Sequence, residues 1–465
     1  MPENSLDRRN FIKLLSTGSA ALGLGISAPT VLGKTKNGIL VESQDKYGDF
    51  PVEIRTNKNF PYEIDPKVLK PMKEKENCFS RSSWDPERRK ALSQLEDLSY
   101  ERLITGEGKV PNQTRLDYAL MTAAWTFAYS GDITYRWDGP FGQAGMEGLG
   151  DRGPWNPADI DMTWEEASLA VKHAARFYGA SLAGIAELNP LWMYSDIYSP
   201  TREDRMHITQ VLTEGERYEK TRDAWYIPRS MNRVVSLAFE EYYEGIANSP
   251  GRLASAAVGD GYSRMAVTST TLAEFIRALG YRALPAGNGV GLSIPIAIDA
   301  GLGELGRLGL LVTPKYGPRV RLAKVITDMP LIPDNPISFG VAEFCKTCML
   351  CAEHCPSDSI TSGPRTWEGK SPSNNPGSLK WFVEPESCHD YNGFSCSNCK
   401  RVCPFTKPNN SWLHQIIRKV IEGKIRPLND LMVNLDQASG YGKQKQDTEF
   451  WKLDGSKTIC GREKM

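Results

Sequence analysis

Apolar side chains recur at helical spacing in TWEEASLAVKHAARFYG, at Ala167, Leu169, Ala170 and Ala174. The segment opens on Thr163 with Glu166 three residues on, the pairing of a capping box, and Gly179 stops it. A strand, SLAGIAEL, follows. The same grammar returns in TLAEFIRALGYRALP: Thr271 and Glu274 form a second box, Leu272, Phe275, Ile276 and Leu279 make a buried stripe, and Gly280 ends the helix before a short strand. Helix and strand alternating over 162–330 predict an α/β or α+β core of about one domain's size.

Outside that stretch the pattern weakens. Residues 34–161 are rich in proline, glycine, tryptophan and charge, with one helical stretch near TRLDYALMTAAWTFAYSG, and read as a loop-rich region wrapping the core. At the start, Arg8 and Arg9 are followed by Phe11, Lys13 and an uncharged run from Leu14 to Gly33. This run is too diluted by Gly, Ser, Thr and Pro for a stable membrane span, so 1–33 reads as a twin-arginine export signal cleaved near Gly33. DNPISFG, with two prolines' worth of punctuation nearby, reads as a linker into a cysteine-rich region. The expected organisation is a signal over 1–33, the wrapping region over 34–161, the core over 162–335, a cysteine module over 336–410 and a C-terminal extension over 411–465.

The chain has 465 residues, enough for several domains, and its 56 basic and 56 acidic residues cancel. That balance gives no global electrostatic reason to expect a nucleic acid partner.

Cysteine usage changes the picture most. Eight of the ten cysteines fall between 345 and 403, leaving Cys78 and Cys460 outside. Cys345, Cys348, Cys351 and Cys355, closed by Pro356, have the C-x2-C-x2-C-x3-C-P spacing that wraps a cubane iron-sulfur cluster, and Cys388, Cys396, Cys399 and Cys403 end likewise on Pro404. Clustering this tight argues for metal centres over a disulfide framework. In two-cluster ferredoxins the fourth cysteine of a run crosses to the other cluster. Here that joins Cys403 to Cys345, Cys348 and Cys351, and Cys355 to Cys388, Cys396 and Cys399, two adjacent 4Fe-4S clusters that would form an electron wire.

With GDGYSRM, GNGVG, AGLGELGRLG, GPRVRLAKV, EFCKTCMLCAEHCP and CSNCKRVCPFTK in order behind a twin-arginine signal, nearly the whole chain resembles the reductive dehalogenases. The resemblance implies an α+β fold: a nitroreductase-like corrinoid-binding core with a ferredoxin-like two-cluster iron-sulfur module. It implies base-off cobalamin, reduction of an organohalide to the hydrocarbon and halide, and service in anaerobic organohalide respiration. It also implies docking at the outer face of the cytoplasmic membrane, periplasmic in a two-membrane cell, through a small membrane-anchor protein, with an electron donor at the membrane and the twin-arginine translocation machinery as further partners. No histidine has an aspartate two positions before it, so no D-x-H-x-x-G corrinoid motif is present.

Three residues carry over from the family's site: Tyr262 as proton donor, Arg321 as its basic partner and Asn288 as a polar residue near the substrate. Gly287, Gly289, Gly291 and Ser293 suit backbone approaching a large ring or its phosphate-bearing tail, and equally a tight strand-to-helix turn. Trp84, Trp125, Trp137, Trp155 and Trp381 are candidates for the wall of an apolar halocarbon pocket, with core packing the alternative. Two other functions stay open at this level. One is an epoxyqueuosine-reductase-like corrinoid enzyme, against which the export signal and neutral charge speak. The other is an exported, non-catalytic iron-sulfur subunit, which would leave the core unexplained.

Overall fold

The structure is a computed structural model that describes residues 46–47, 52–56, 58–90, 115–129, 135, 162–198, 207–392, 396–406 and 429–452. Residues 1–33, read above as an export signal, and Trp137, Trp155, His414 and Cys460 lie outside the described residues. In chain order come β1 (Glu53–Ile54), α1 (Cys78–Trp84), α2 (Arg115–Ala124), α3 (Trp164–Phe177), β2 (Leu182–Glu187), β3 (Asp196–Tyr198), β4 (His207–Thr213), β5 (Glu219–Lys220), β6 (Ala224–Pro228) and β7 (Arg233–Glu240). Then follow α4 (Tyr243–Ile246), α5 (Arg252–Ala278), β8 (Ala283–Ala286), α6 (Ser293–Asp299), β9 (Glu304–Leu305), β10 (Leu311–Val312), β11 (Val320–Thr327) and β12 (Ile337–Ser338). The cysteine region carries α7 (Val341–Thr347), α8 (Leu350–Glu353), α9 (Pro385–Asn392) and α10 (Asn398–Val402), and α11 (Asn429–Ser439) and α12 (Asp447–Phe450) come last.

The main sheet runs β2–β7–β11–β8 with every pair antiparallel, which makes the fold α+β; a second sheet, β3–β4–β6–β5, is mixed, and neither closes on itself. Both faces of the main sheet are covered. On one, Ile185, Val235, Leu237 and Val325 meet Val171 and Ala175 of α3 and Met265, Leu272 and Ile276 of α5. On the other, Val234, Ala238, Leu322 and Ile326 meet Ile296 and Ala297 of α6. Strands buried on two sides read as continuous apolar runs, and each such aliphatic side chain stabilises by about 1.5–3 kcal/mol.

The first capping box forms: Thr163 Oγ1 accepts from Glu166 N at 3.2 Å and Glu166 Oε2 from Thr163 N at 3.0 Å. The deepest positions of α3 are Val171 and Ala175 in line with Ala167, while Ala170 and Ala174 are only half-buried. The second box does not form. Helix α5 starts at Arg252 rather than at Thr271, whose hydroxyl donates back to the Val267 and Thr268 carbonyls at 3.0 Å, and Glu274 pairs with Arg277. Its first half was hidden by glycines that each cost a helix interior about 1 kcal/mol relative to alanine. Tertiary packing requires them: a Cβ on Gly259 would lie 2.5 Å from Trp125 Cδ1, and one on Gly261 2.9 Å from Arg321 Cγ. DNPISFG is likewise no free linker. Asp334 takes Lys46, Lys172 and the Ile185 N–H, and Ile337 is fully buried in β12, which pairs with β1.

The segment 58–90 makes contacts with both the core and the cysteine region. Lys73 bridges Asp196 and Ile64 bridges Ser378, Arg81 pairs with Glu386, and Arg88 pairs with Asp390. Cys78 is buried, with its thiol 3.4 Å from the Pro385 carbonyl.

Candidate functional site

Three elements deliver the residues of the site: α5 carries Tyr262, the loop after β8 carries Asn288, and β11 carries Arg321. Asn288 Nδ2 and Arg321 Nη1 each donate to the Tyr262 phenol oxygen at 3.1 Å. The arginine also lies 4.6 Å from the tyrosine ring centroid, and Trp125 stacks on that ring at 5.2 Å and 28°. Trp125 is held by the seam of α5, its Nε1 donating to Ser255 Oγ at 3.4 Å, while Ser263 Oγ donates to the Ala124 carbonyl at 2.6 Å.

Behind the arginine stands a carboxylate that the sequence did not single out. Glu241 is fully buried and follows β7 directly, where register sets it beside β11; its N–H donates to the Arg319 carbonyl at 2.8 Å. Its Oε1 accepts from Arg321 Nε at 2.6 Å, and Oε1 and Oε2 accept from Lys400 Nζ at 2.7 and 2.5 Å. Burial alone would raise this carboxyl; Lys400 and Arg321 outweigh it and hold it below the usual carboxylate range. Burial works against the Arg321 charge, but Tyr262 and Glu241 more than offset it and favour the cation. One carboxylate serves two cations, and burial together with Arg321 pulls Lys400 down to about 8. Lys400 sits between Cys399 and Cys403, so this buried ion triad ties the cysteine region to the phenol.

The glycine loop is fixed from the other face of β11. Lys324, fully buried, donates to the Gly287 carbonyl at 2.6 Å and to Ser293 Oγ at 3.0 Å. Burial drops it to about 7, with Glu74 opposing. Gly287 and Gly291 have packing reasons within the chain: a Cβ on the first would meet the Tyr135 hydroxyl at 2.9 Å, and on the second the Trp192 carbonyl at 2.5 Å. Gly289 alone looks onto space, with nothing nearer than Glu74 Oε1 at 3.9 Å. With exposed Asn288, Gly289 is the edge this loop can offer a large planar cofactor. Of the candidate tryptophans that are described, Trp125 reaches the site, against Tyr262; Trp84 Nε1 bonds the Lys75 carbonyl, and Trp381 lies under Arg307. A cavity of about 120 Å³ between α3 and β2 lies elsewhere, its lining cations Lys46 and Lys172 turned to Asp334.

Among the cysteines, Cys345, Cys348, Cys351 and Cys403 are buried in one apolar cluster with Phe339, Phe344 and Phe405, whereas Cys355, Cys396 and Cys399 are half-buried and Cys388 is exposed. Burial pushes the Cys403 thiol well up, and Cys345, Cys348 and Cys351 add to the effect. Burial likewise takes Cys399 to about 12, with Cys388, Cys396 and Cys355 adding. The thiols thus face one another in two sets of four, and the sets adjoin where Cys351 feels Cys399. No group of three or more His, Cys, Asp or Glu among the described residues could hold a single ion; a cubane asks instead for four thiolates spread around its corners, a donor set these two groups supply. Thiols this buried, about 11 for Cys345 and 12 for Cys348, keep their protons at neutral pH until a cation displaces them.

No protein-family model matches the chain. The tetrachloroethene reductive dehalogenase of Sulfurospirillum multivorans is 33% identical over 479 residues, covering 96% of this chain and 93% of its own. That of Desulfitobacterium hafniense is 32% identical, covering 94% of each. The solved catabolic reductive dehalogenase NpRdhA shares the fold, with a TM-score of 0.59 at 19% identity over 84% of this chain and 49% of that one. Near-complete coverage in both directions by relatives above 30% identity places the chain among the reductive dehalogenases, oxidoreductases that act on carbon–halogen bonds.

Proposed function

We propose that this chain is a cobalamin- and iron-sulfur-dependent reductive dehalogenase of organohalide respiration in which Tyr262 delivers the proton that takes the halogen's place. The overall change, R–X + 2e⁻ + H⁺ → R–H + X⁻, needs one proton beside two electrons. The observation that carries the assignment is the convergence of Asn288 and Arg321 on one phenol oxygen. A hydroxyl has two acceptor lone pairs and one proton. With both lone pairs taken, the O–H is aimed away from both donors, free for a substrate. When the proton leaves, the guanidinium, anchored by Glu241 and permanently charged, stabilises the phenolate.

A corrinoid bound base-off at the edge formed by Gly289, with Gly287, Gly291 and Ser293 shaping the loop, would supply the electrons that break the carbon–halogen bond, drawn through two 4Fe-4S clusters. Cys345, Cys348, Cys351 and Cys403 would hold one cluster, and Cys355, Cys388, Cys396 and Cys399 the other. The core then reads as nitroreductase-like and 336–410 as a ferredoxin-like module. Relatives named for tetrachloroethene make a chlorinated alkene the first substrate to try.

The twin arginines support export and work at the outer face of the cytoplasmic membrane beside a small anchor protein and an electron donor. Where the Arg8→Lys, Arg9→Lys double variant accumulates checks this; normal export would remove it. The chemistry is tested by Tyr262→Phe in protein that retains corrinoid and both clusters. Turnover should fall by at least about 10²-fold, and near-normal turnover would rule Tyr262 out.

A further inference from the structure

Arg307 lies in the turn between β9 and β10, only 1% exposed. Its Nε and Nη2 both donate to the Cys345 carbonyl, at 3.0 and 2.8 Å, and its Nη1 donates to the carbonyls of Thr361 at 2.8 Å and Gly363 at 2.9 Å. The guanidinium sits 4.7 Å from the Trp381 ring centroid, and Trp381 is itself pinned by its Nε1 bond to the Gly363 carbonyl at 3.1 Å. Each of these hydrogen bonds ends on a neutral carbonyl, and among the described residues no carboxylate forms an ion pair with it. Glu304, three residues before, spends its carboxylate on the backbone N–H groups of Phe339 and Val341. A guanidinium so buried keeps its charge, and an uncompensated buried charge is costly unless a negative group lies within reach. The charge is felt at Cys345, Cys348 and Cys351, three of the four thiols of the buried set.

We propose that Arg307 is the fixed counter-charge of the cluster held by Cys345, Cys348, Cys351 and Cys403, and that it raises that cluster's reduction potential. The inference rests on the two-cluster reading above. A cubane with four thiolates is anionic and gains one further negative charge on reduction, so a fixed cation beside it favours the reduced form. The other set has cations of a different kind: Lys400, beside Cys399, shares Glu241 with Arg321, and Arg401, which acts on Cys396, is only partly buried and bonds the Gly442 carbonyl and Asn398. Arg307 would thus raise the potential of the buried cluster alone, since its charge reaches Cys345, Cys348 and Cys351, without touching either substrate or corrinoid.

The test is a potentiometric titration of the loaded enzyme followed by electron paramagnetic resonance, after iron and sulfide analysis has shown both clusters present. In Arg307→Met one cluster should move to lower potential while the other stays in place, and Arg307→Lys should fall between Met and the parent. Loss of the moving signal in Cys403→Ser identifies it as the buried cluster. A Met variant with both clusters loaded and neither lowered, or both lowered equally, overturns the proposal, since a merely structural arginine would leave the difference between them unchanged. Should the Met variant fail to load, Arg307→Gln and Arg307→Lys decide: equal potentials in the two sink it, a lower one in Gln upholds it. Absence of any cluster from the parent protein would instead overturn the two-cluster reading beneath it.

Discussion

Strand β11 carries two cations three residues apart, a half-buried Arg321 and a fully buried Lys324, and because side chains alternate along a strand they serve opposite faces of the sheet. Arg321 points toward α5, where it has a carboxylate behind it and a phenol in front. Lys324 points toward α6 and hydrogen-bonds a carbonyl and a hydroxyl, with the Glu74 carboxyl acting on it without a hydrogen bond. Burial penalises both charges, yet the arginine's is favoured and the lysine's falls to about 7. Arg321, an arginine with Glu241 bonded to it, stays a fixed cation, whereas Lys324, whose burial Glu74 offsets only in part, becomes a titrating amine. The two meet at Asn288: Arg321 shares the phenol oxygen that Asn288 donates to, and Lys324 holds the carbonyl of the preceding residue. One face supplies fixed charge to the proton donor, and the other supplies position to the loop.

Glu241→Gln is the most severe way to break that contrast, because it makes the Arg321 face resemble the Lys324 face. It leaves Arg321 and Lys400 as two buried cations around a neutral amide. Removing one partner of a buried ion pair typically costs about 3–5 kcal/mol, so the loaded variant should unfold at clearly lower temperature in calorimetry and dehalogenate slowly. A loss of stability of no more than about 0.5 kcal/mol, the range of an ordinary surface change, would show that the triad holds nothing.

Arg321→Lys is gentler. It keeps the charge but loses the fork that reaches Glu241 through Nε and Tyr262 through Nη1 together. Turnover should drop by about 10-fold, less than for Tyr262→Phe, with KM little changed. A fall as large as that of the tyrosine variant would mean that geometry at the phenol matters more than charge.

How much of this was legible in the sequence depended on how local each feature is. The cysteine runs are written in short spacings, so they stand out without a fold, and their division into two crossing sets follows from the ferredoxin pattern. Helix α3 was legible for the same reason, since its capping box spans four residues. Tyr262, Asn288 and Arg321 lie on three elements and were found only through family resemblance; nothing local marks a tyrosine as the meeting point of two donors. Glu241, Lys324 and Arg307 went unnoticed because a lone charge looks like a solvated surface residue until the fold buries it. The one available signal was their setting, Glu241 after the apolar run of β7 and Lys324 inside that of β11. Gly259 and Gly261 argued against the helix they occupy, because local propensity cannot show that a tryptophan and an arginine must pass there.

Lys324→Met should have the smallest effect on turnover and a distinctive one on pH dependence. The lysine titrates near 10.5 when unfolded and near 7 when folded. Between those values the unfolded chain binds more protons than the folded one, so stability rises as pH climbs from about 7 to about 10.5, and below 7 the whole penalty is present. Glu74 and Asp299 run the other way. Burial raises both carboxyls to about 7, so the folded state holds protons the unfolded state has lost, and stability falls as pH rises toward 7. Methionine at 324 removes the alkaline rise and, by taking away a cation that lowers Glu74, carries the fall due to that carboxyl to higher pH. Below pH 7 the variant is spared a buried charge and should be the more stable protein. Near pH 10 the parent's neutral amine keeps its bonds to Gly287 and Ser293, worth about 1 kcal/mol each, and should be the more stable. Melting temperatures of the two proteins followed across that range should therefore cross, and parallel curves would mean that Lys324 is compensated after all and that the two faces of β11 are alike.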